Sequence, residues 1–153
     1  RLCDRLGCEP ALAGRLGFAR ARLLPALSPG NLDKTRAAPV TVIVCADNRF
    51  HEFMPQVWHR EGAKENFESN PALSEATATR NSTLGGAYFI IAARALGLDC
   101  GPMSGVDLAK VNAEFFPEGR LQANFLINLG KIDPSKTFKR NPRLSFEQAC
   151  TVL

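Results

Sequence analysis

At 153 residues, 45% apolar and 22% charged, the chain has the length and apolar content for one domain with a real core, which excludes a wholly disordered protein. No apolar run reaches the roughly 18–20 residues of a membrane helix, because Arg94, Asp99 and Asn128 break the best stretches, so no membrane association is expected. The formal charge of +4 sits mostly in residues 1–22, where Arg1, Arg5, Arg15, Arg20 and Arg22 face only Asp4 and Glu9 for a net +3, so no nucleic-acid surface is expected on the rest.

Residues 1–22 are built largely of Arg, Leu, Ala and Gly, and Gly7, Pro10, Gly14 and Gly17 interrupt any helical period. They read as an atypical leader, either frayed or non-native through a shift of reading frame, ahead of a domain spanning 23–153. Leu23 to Leu27 reads as a helix end, Ser28-Pro29-Gly30 as a turn, and Leu32 to Ala37 as a short helix. Val40 to Ala46 is β-branched and apolar on both faces, the mark of a buried strand. From Arg49 to Ser69, aromatics are scattered among charges, giving a long loop with helical turns, a length that is usually functional.

Asn70-Pro71 is a helix start, an N-cap followed by Pro at the first helical position, and the helix should run to Leu96 with Gly97 as its stop. Leu73, Thr77, Leu84, Ala87, Tyr88, Ile91, Ala95 and Leu96 are its expected apolar stripe, and Gly85-Gly86 in the middle suggests a close backbone approach. Asp107 should cap a short helix through Glu114, Ala123 to Gly130 reads as a second buried strand, Lys131 to Arg143 is a polar basic stretch, and Leu144 to Leu153 is amphipathic. Two strands among helices place the chain in the α/β or α+β class.

Several chemistries drop out. His51-Glu52-Phe53-Met54-Pro55 opens like a zinc-protease helix but has Pro55 at the second histidine position, and Cys3, Cys8, Cys45, Cys100 and Cys150 are scattered without a paired C-x-x-C, so no metal is expected. The cysteines read as reduced thiols of a cytoplasmic protein. Ser28, Ser82 and Ser104 lack a G-x-S-x-G frame, and there is no dinucleotide or Walker glycine motif.

Four separated motifs agree in order and spacing: Asn31-Leu32-Asp33-Lys34, Arg80-Asn81-Ser82, the run Ala95 to Gly105 that ends Gly101-Pro102-Met103-Ser104-Gly105, and the tail Lys136 to Arg143. Over residues 23–153 the chain thereby resembles the FMN-dependent nitroreductase family, and is most similar to its malonic semialdehyde reductase subgroup, the 3-hydroxypropionate-forming step of pyrimidine utilisation; Leu24 to Thr35 and Pro142 to Cys150 carry the subgroup likeness. The resemblance implies an α+β fold with a central, mainly antiparallel sheet flanked by helices, incomplete at the N-terminus, in a homodimer with FMN at the interface. It further implies NAD(P)H as hydride donor and a small carbonyl substrate. Such hydride transfer needs no protein nucleophile, and no catalytic residue is assigned.

The implied cofactor-binding residues are Asn31 and Lys34, facing the pyrimidine edge of the flavin where reduced FMN gathers negative charge; Asn81 on the long helix; and Pro102, Met103, Ser104 and Gly105, whose backbone would face flavin N5 and O4. Arg140 is the implied phosphate arginine, with Lys136 a second choice. Ser104 stands where better-known members carry Glu. Arg49 or Arg60 would meet a substrate carboxylate. The family's N-terminal Arg/Ser-rich phosphate helix has no match in residues 1–22, which keeps two alternatives open: a non-catalytic remnant that dimerises without FMN, and a general nitroreductase acting on nitroaromatics or quinones.

Overall fold

The structure, a computed structural model, describes residues 19–153. The expected leader therefore lies outside the described residues up to residue 18. Its last four residues are helical, and Arg20 donates to the carbonyls of Arg36 and Ala38 while Arg22 pairs with Glu114.

Helical residues 19–23 run into a 3-10 turn, Leu24–Ala26, and then into helix α1, Pro29–Ala37. Ser28-Pro29-Gly30, expected as a turn, is instead the start of α1, because Pro at the first helical position donates no N–H that the helix would need. Strand β1, Val40–Asp47, follows. The 49–69 stretch holds a 3-10 turn, Phe50–Phe53, helix α2, Met54–Val57, and helix α3, Ala63–Glu68. The long helix α4, Pro71–Ala95, is capped by the Asn70 side chain, which accepts from the Leu73 N–H, and it stops at Gly97 with φ +77°.

Gly101 to Gly105 reads in the sequence as a turn, but its first three residues belong to a third strand, β2, Asp99–Met103. Gly101-Pro102 looks like turn chemistry in sequence, but β2 lies at a sheet edge, where a proline without an N–H is tolerated. Helix α5, Leu108–Phe115, is capped by Asp107; strand β3, Leu121–Gly130, and a short helix α6, Phe146–Ala149, complete the chain. The sheet order is β1-β3-β2, antiparallel throughout, with Val42 opposite Ile127 and Pro102 opposite Ile127 on the other side.

Alternation along β3 sends Leu126 to one face and Ile127 and Leu129 to the other. The first face packs Leu23, Ala26, Leu27, Met103 and Val111 under α1 and α5. The second packs Val42, Val44 and Phe125 under α4. A bulge between Val44 and Cys45 breaks the register, so that Asn124 and Phe125 both turn toward α4, where Asn124 donates to Ser82 and Thr83.

The face α4 gives to the sheet is not the expected stripe. Its buried residues are small, Ser74, Ala78, Ser82, Gly86 and Ala93, whereas Leu84, Tyr88, Ile91 and Leu96 are exposed. Bulky sheet residues leave no room for bulky helix residues: a Cβ at Gly86 would stand 2.5 Å from the Phe125 ring and 3.2 Å from Val44, while one at Gly85 would meet nothing within 4 Å. The close approach suggested by the glycine pair is Gly86 alone. Residues 131–153 run exposed along the surface. Among the described residues, no helix is long and apolar enough to cross a membrane.

Candidate functional site

Helix α1 is fixed to the sheet by polar contacts that lie inside the core. Thr35 is fully buried, and Asn31 and Asn128 nearly so. Asn128 Nδ2 donates to Thr35 Oγ1 at 3.1 Å, Thr41 Oγ1 donates to Asn128 Oδ1 at 2.7 Å, and Thr35 Oγ1 donates to Met103 Sδ at 3.8 Å. Such groups are costly to bury without partners, and here each finds one. One helical turn before Thr35, Asn31 Nδ2 donates to the Gly105 carbonyl at 2.8 Å. The Ser28 N–H donates to the same carbonyl at 3.0 Å, and the Asp107 N–H to the Ala26 carbonyl at 2.7 Å.

The turn after β2 is thus stitched to the start of α1. A Cβ at Gly105 would lie 2.6 Å from Asn31 Nδ2 and 3.2 Å from Ser28 Oγ, so a larger residue there would displace the Asn31 side chain. Ser104 is exposed, and neither the Ser104 nor the Gly105 N–H donates to a partner among the described residues. Pro102 is exposed on the edge strand, whereas the Met103 side chain is buried, which leaves only its backbone for a ligand.

Lys34, three residues beyond Asn31 on the same helix, lines an open groove of about 420 Å³ together with Pro39, Asp99, Cys100, Gly101 and Lys136. Lys136 is paired with Asp133 at 4.0 Å and Lys131 with the Gly97 carbonyl, while Lys34 has no ion pair among the described residues. The Ile132 N–H and the Arg94 guanidinium hold the Asp99 carboxyl below its ordinary range, so it is ionised at neutral pH. Among the described residues the groove is therefore of mixed charge, with Lys34 its one cation lacking an ion pair or hydrogen bond. Arg140 sits on the exposed tail and does not line it.

Asn81 is in a different place. It is exposed on α4 and lines a second open groove, about 500 Å³, with Phe50, Trp58, Arg60, Phe67 and Thr77. Of the two arginines considered for a substrate carboxylate, Arg49 is engaged with Glu52 at 3.7 Å, whereas Arg60 lines this second groove and has no ion pair among the described residues. The structure thus places Lys34 and Lys136 on one groove and bonds Asn31 to Gly105, while Asn81 and Arg140 do not line that groove.

Thr35 and Asn128 are positioning residues that sequence reasoning did not single out. Thr35 carried a usable signal, four residues from Asn31 and so on its face of α1. Cys45, Cys100 and Cys150 are free thiols; burial pushes Cys45 up to about 11, which leaves little thiolate for chemistry. Cys3 and Cys8 lie outside the described residues. Among the described residues no cluster of three or more His, Cys, Asp or Glu is arranged to hold a metal.

No family model matches the chain. A Rhodopseudomonas palustris protein bearing the name NADH dehydrogenase/NAD(P)H nitroreductase is 55% identical over 161 residues, 99% of this chain and 82% of its own length. The chain belongs to that nitroreductase family. Among solved structures, a nitroreductase of Bacillus subtilis superposes with a TM-score of 0.76 at 16% identity, over 90% of this chain and 73% of its own. A nitroreductase of Exiguobacterium sibiricum in complex with FMN gives 0.70 at 16% identity, over 88% and 71%. The α+β fold with its antiparallel sheet is that of the nitroreductases.

Proposed function

We propose that the protein is an FMN-dependent oxidoreductase that passes hydride from NAD(P)H to a small carbonyl compound, malonic semialdehyde, giving 3-hydroxypropionate. The observation that carries the reading is that Lys34, a groove-lining cation with no ion pair among the described residues, shares helix α1 with Asn31, which is bonded to the Ser104-Gly105 turn whose N–H groups donate to no partner among the described residues. That donor set fits a flavin, which needs a cation beside the edge that gains charge and N–H donors beside the edge that accepts hydride. The FMN complex of the Exiguobacterium sibiricum protein, which shares the fold, supports the choice of flavin.

When bound, the flavin supplies the two-electron redox chemistry. The chain's own residues bind, orient and exclude. Lys34 stabilises negative charge, the Asn31–Gly105 contact holds the N–H-bearing turn in place, and Thr35 with Asn128 fixes α1 so that Lys34 keeps its position. Lys136 and Arg140 are the candidate phosphate cations, the latter after its tail has packed. The exposed stripe of Leu84, Tyr88 and Ile91 and the uncovered tail with Phe138 and Phe146 support a homodimer, in which a second chain covers them and brings its Asn81 and Arg60 groove toward the flavin. Arg60 would then pair with the substrate carboxylate.

A titration of FMN fluorescence tests the reading. Lys34→Met should weaken FMN about 10- to 100-fold, the loss of one charge-assisted contact. Failure of the unaltered protein to bind FMN, or an unchanged affinity in Lys34→Met, would sink it. Activity on nitroaromatics or quinones is the second reading, favoured by the name of the Rhodopseudomonas palustris relative. An Arg60→Ala variant whose KM rises for malonic semialdehyde but not for an uncharged nitroaromatic favours the carboxylate substrate over it.

A further inference from the structure

We propose that Arg120 is a positioning residue that clamps the 50–57 segment, and with it the Trp58–Arg60 wall of the second groove, to the common end of strands β1 and β3. Arg120 stands in the bend just before β3, and Asp47 ends β1 opposite Leu121. The guanidinium grips Asp47 with both edges of its fork: Nε lies 3.1 and 3.2 Å from the two carboxylate oxygens, and Nη2 lies 3.0 Å from Oδ2. Its remaining arm reaches the 3-10 turn, Nη1 donating to Glu52 Oε2 at 2.9 Å, while the cation stands 5.3 Å from the centre of the Phe53 ring.

One side chain therefore joins two sheet strands to two residues of the 3-10 turn Phe50–Phe53. Asp47 adds a further tie, accepting from the Arg49 N–H at 2.9 Å, and the Arg120 carbonyl accepts from the Asn48 N–H at 2.9 Å. Burial pushes the Asp47 carboxyl up, but the hydrogen bonds from Arg120 and from the Arg49 N–H outweigh it and hold the carboxyl below its usual range. Both partners are only 28% exposed, so the contact is not a freely solvated surface pair. A lysine offers no planar fork, so it could not keep the bidentate grip on Asp47 while also reaching Glu52 and the Phe53 ring.

The 3-10 turn leads directly into α2 and then to Trp58 and Arg60, and Phe50 and Met54 line the same groove as Asn81. Among the described residues, a 3.5 Å contact between His51 Nδ1 and Ser74 Oγ joins the turn to α4, and the Phe50–Phe67 ring pair joins it to α3. Releasing the clamp frees the groove wall while the sheet stays paired. The consequence for catalysis rests on the reading that this groove takes the acceptor substrate.

The test uses the full FMN-loaded chain with Arg120→Gln, Arg120→Lys and Glu52→Gln, the last of which leaves the Arg120–Asp47 pair in place and so protects the fold. Amide hydrogen exchange of residues 50–60 should rise about tenfold in Arg120→Gln and Glu52→Gln, with residues 40–47 unchanged; KM for the aldehyde should rise about tenfold while kcat and FMN affinity hold. Arg120→Lys should restore only part of the protection. Unchanged exchange at 50–60 in Glu52→Gln, or an equal rise at 40–47, overturns the clamp. Faster exchange with an unchanged KM overturns its role in the groove. If the unaltered protein turns over no aldehyde, the assignment of the groove fails, and the exchange pattern alone decides the clamp.

Discussion

The two faces of the sheet are held to their helices by different physics. Under α1, the core contains Thr35, Asn31 and Asn128, and their hydrogen bonds have directions. Under α4, the contact is mainly one of shape, a row of Ser, Ala and Gly against Val44 and Phe125, with hydrogen bonds from Asn124 to Ser82 and Thr83 at one point along it. Directional bonds fix a helix in rotation and along its axis, which suits the helix that presents Lys34. Shape packing brings a long helix close and puts its large apolar residues on the outside, where a second chain can meet them.

Overfilling the α4 face should break the comparison most visibly. In Gly86→Val the first added carbon already stands 2.5 Å from the Phe125 ring, and Phe125 is itself packed beneath the helix. Overpacking of this kind costs about 3 kcal/mol. Urea unfolding should show that loss, and a variant within about 0.5 kcal/mol of the parent would mean that α4 slides freely on the sheet and is not fixed by shape.

The α1 face should respond to a change of chemistry without a change of shape. Thr35→Val keeps the volume and removes the acceptor for Asn128 Nδ2, leaving a buried amide with only the Met103 sulfur nearby. The expected cost is about 2 kcal/mol. Adding Asn128→Leu removes the orphaned group as well, and the double variant should regain part of the loss while its FMN affinity stays weakened, because α1 has lost its fixed register. Equal FMN affinity in parent and double variant would show that apolar packing alone suffices to place Lys34.

The same contrast explains what the sequence disclosed. Strand β1 was legible as an unbroken run of β-branched and apolar residues, β3 as a mostly apolar one, and α4 at both ends from Asn70-Pro71 and Gly97, because these signals are local. Strand β2 was not, since five residues containing Gly101-Pro102 look like a turn until a partner strand supplies the pairing. The inner face of α4 was hidden for a related reason: hydrophobic periodicity points to the largest apolar residues, and here the sheet has already filled the space with its own. Thr35 and Asn128 are 93 positions apart, and nothing local in a polar residue says that its partner will be buried beside it. Lys34 and Asn31 were singled out through family likeness, whereas the placement of Asn81 on a different groove from Lys34 emerged only from the fold.

The smallest effect is also the one that separates the inner and outer sides of α4. Gly85 adjoins Gly86 but has nothing within 4 Å of a would-be Cβ, and its φ is not in the left-handed region, so Gly85→Ala should gain about 0.8 kcal/mol from helix propensity alone. Gly85 flanks the exposed Leu84, Tyr88 and Ile91, the stripe proposed to meet a second chain. In dilute protein the gain should appear in full as a higher urea midpoint. If two copies pack tightly along this stripe, the added methyl will crowd the contact, and the gain should shrink as protein concentration rises, with sedimentation showing a weaker dimer. A gain that is the same at every concentration would mean that the outer side of α4 stays in solvent at Gly85, and the two sides of the helix would then differ in packing without differing in partners.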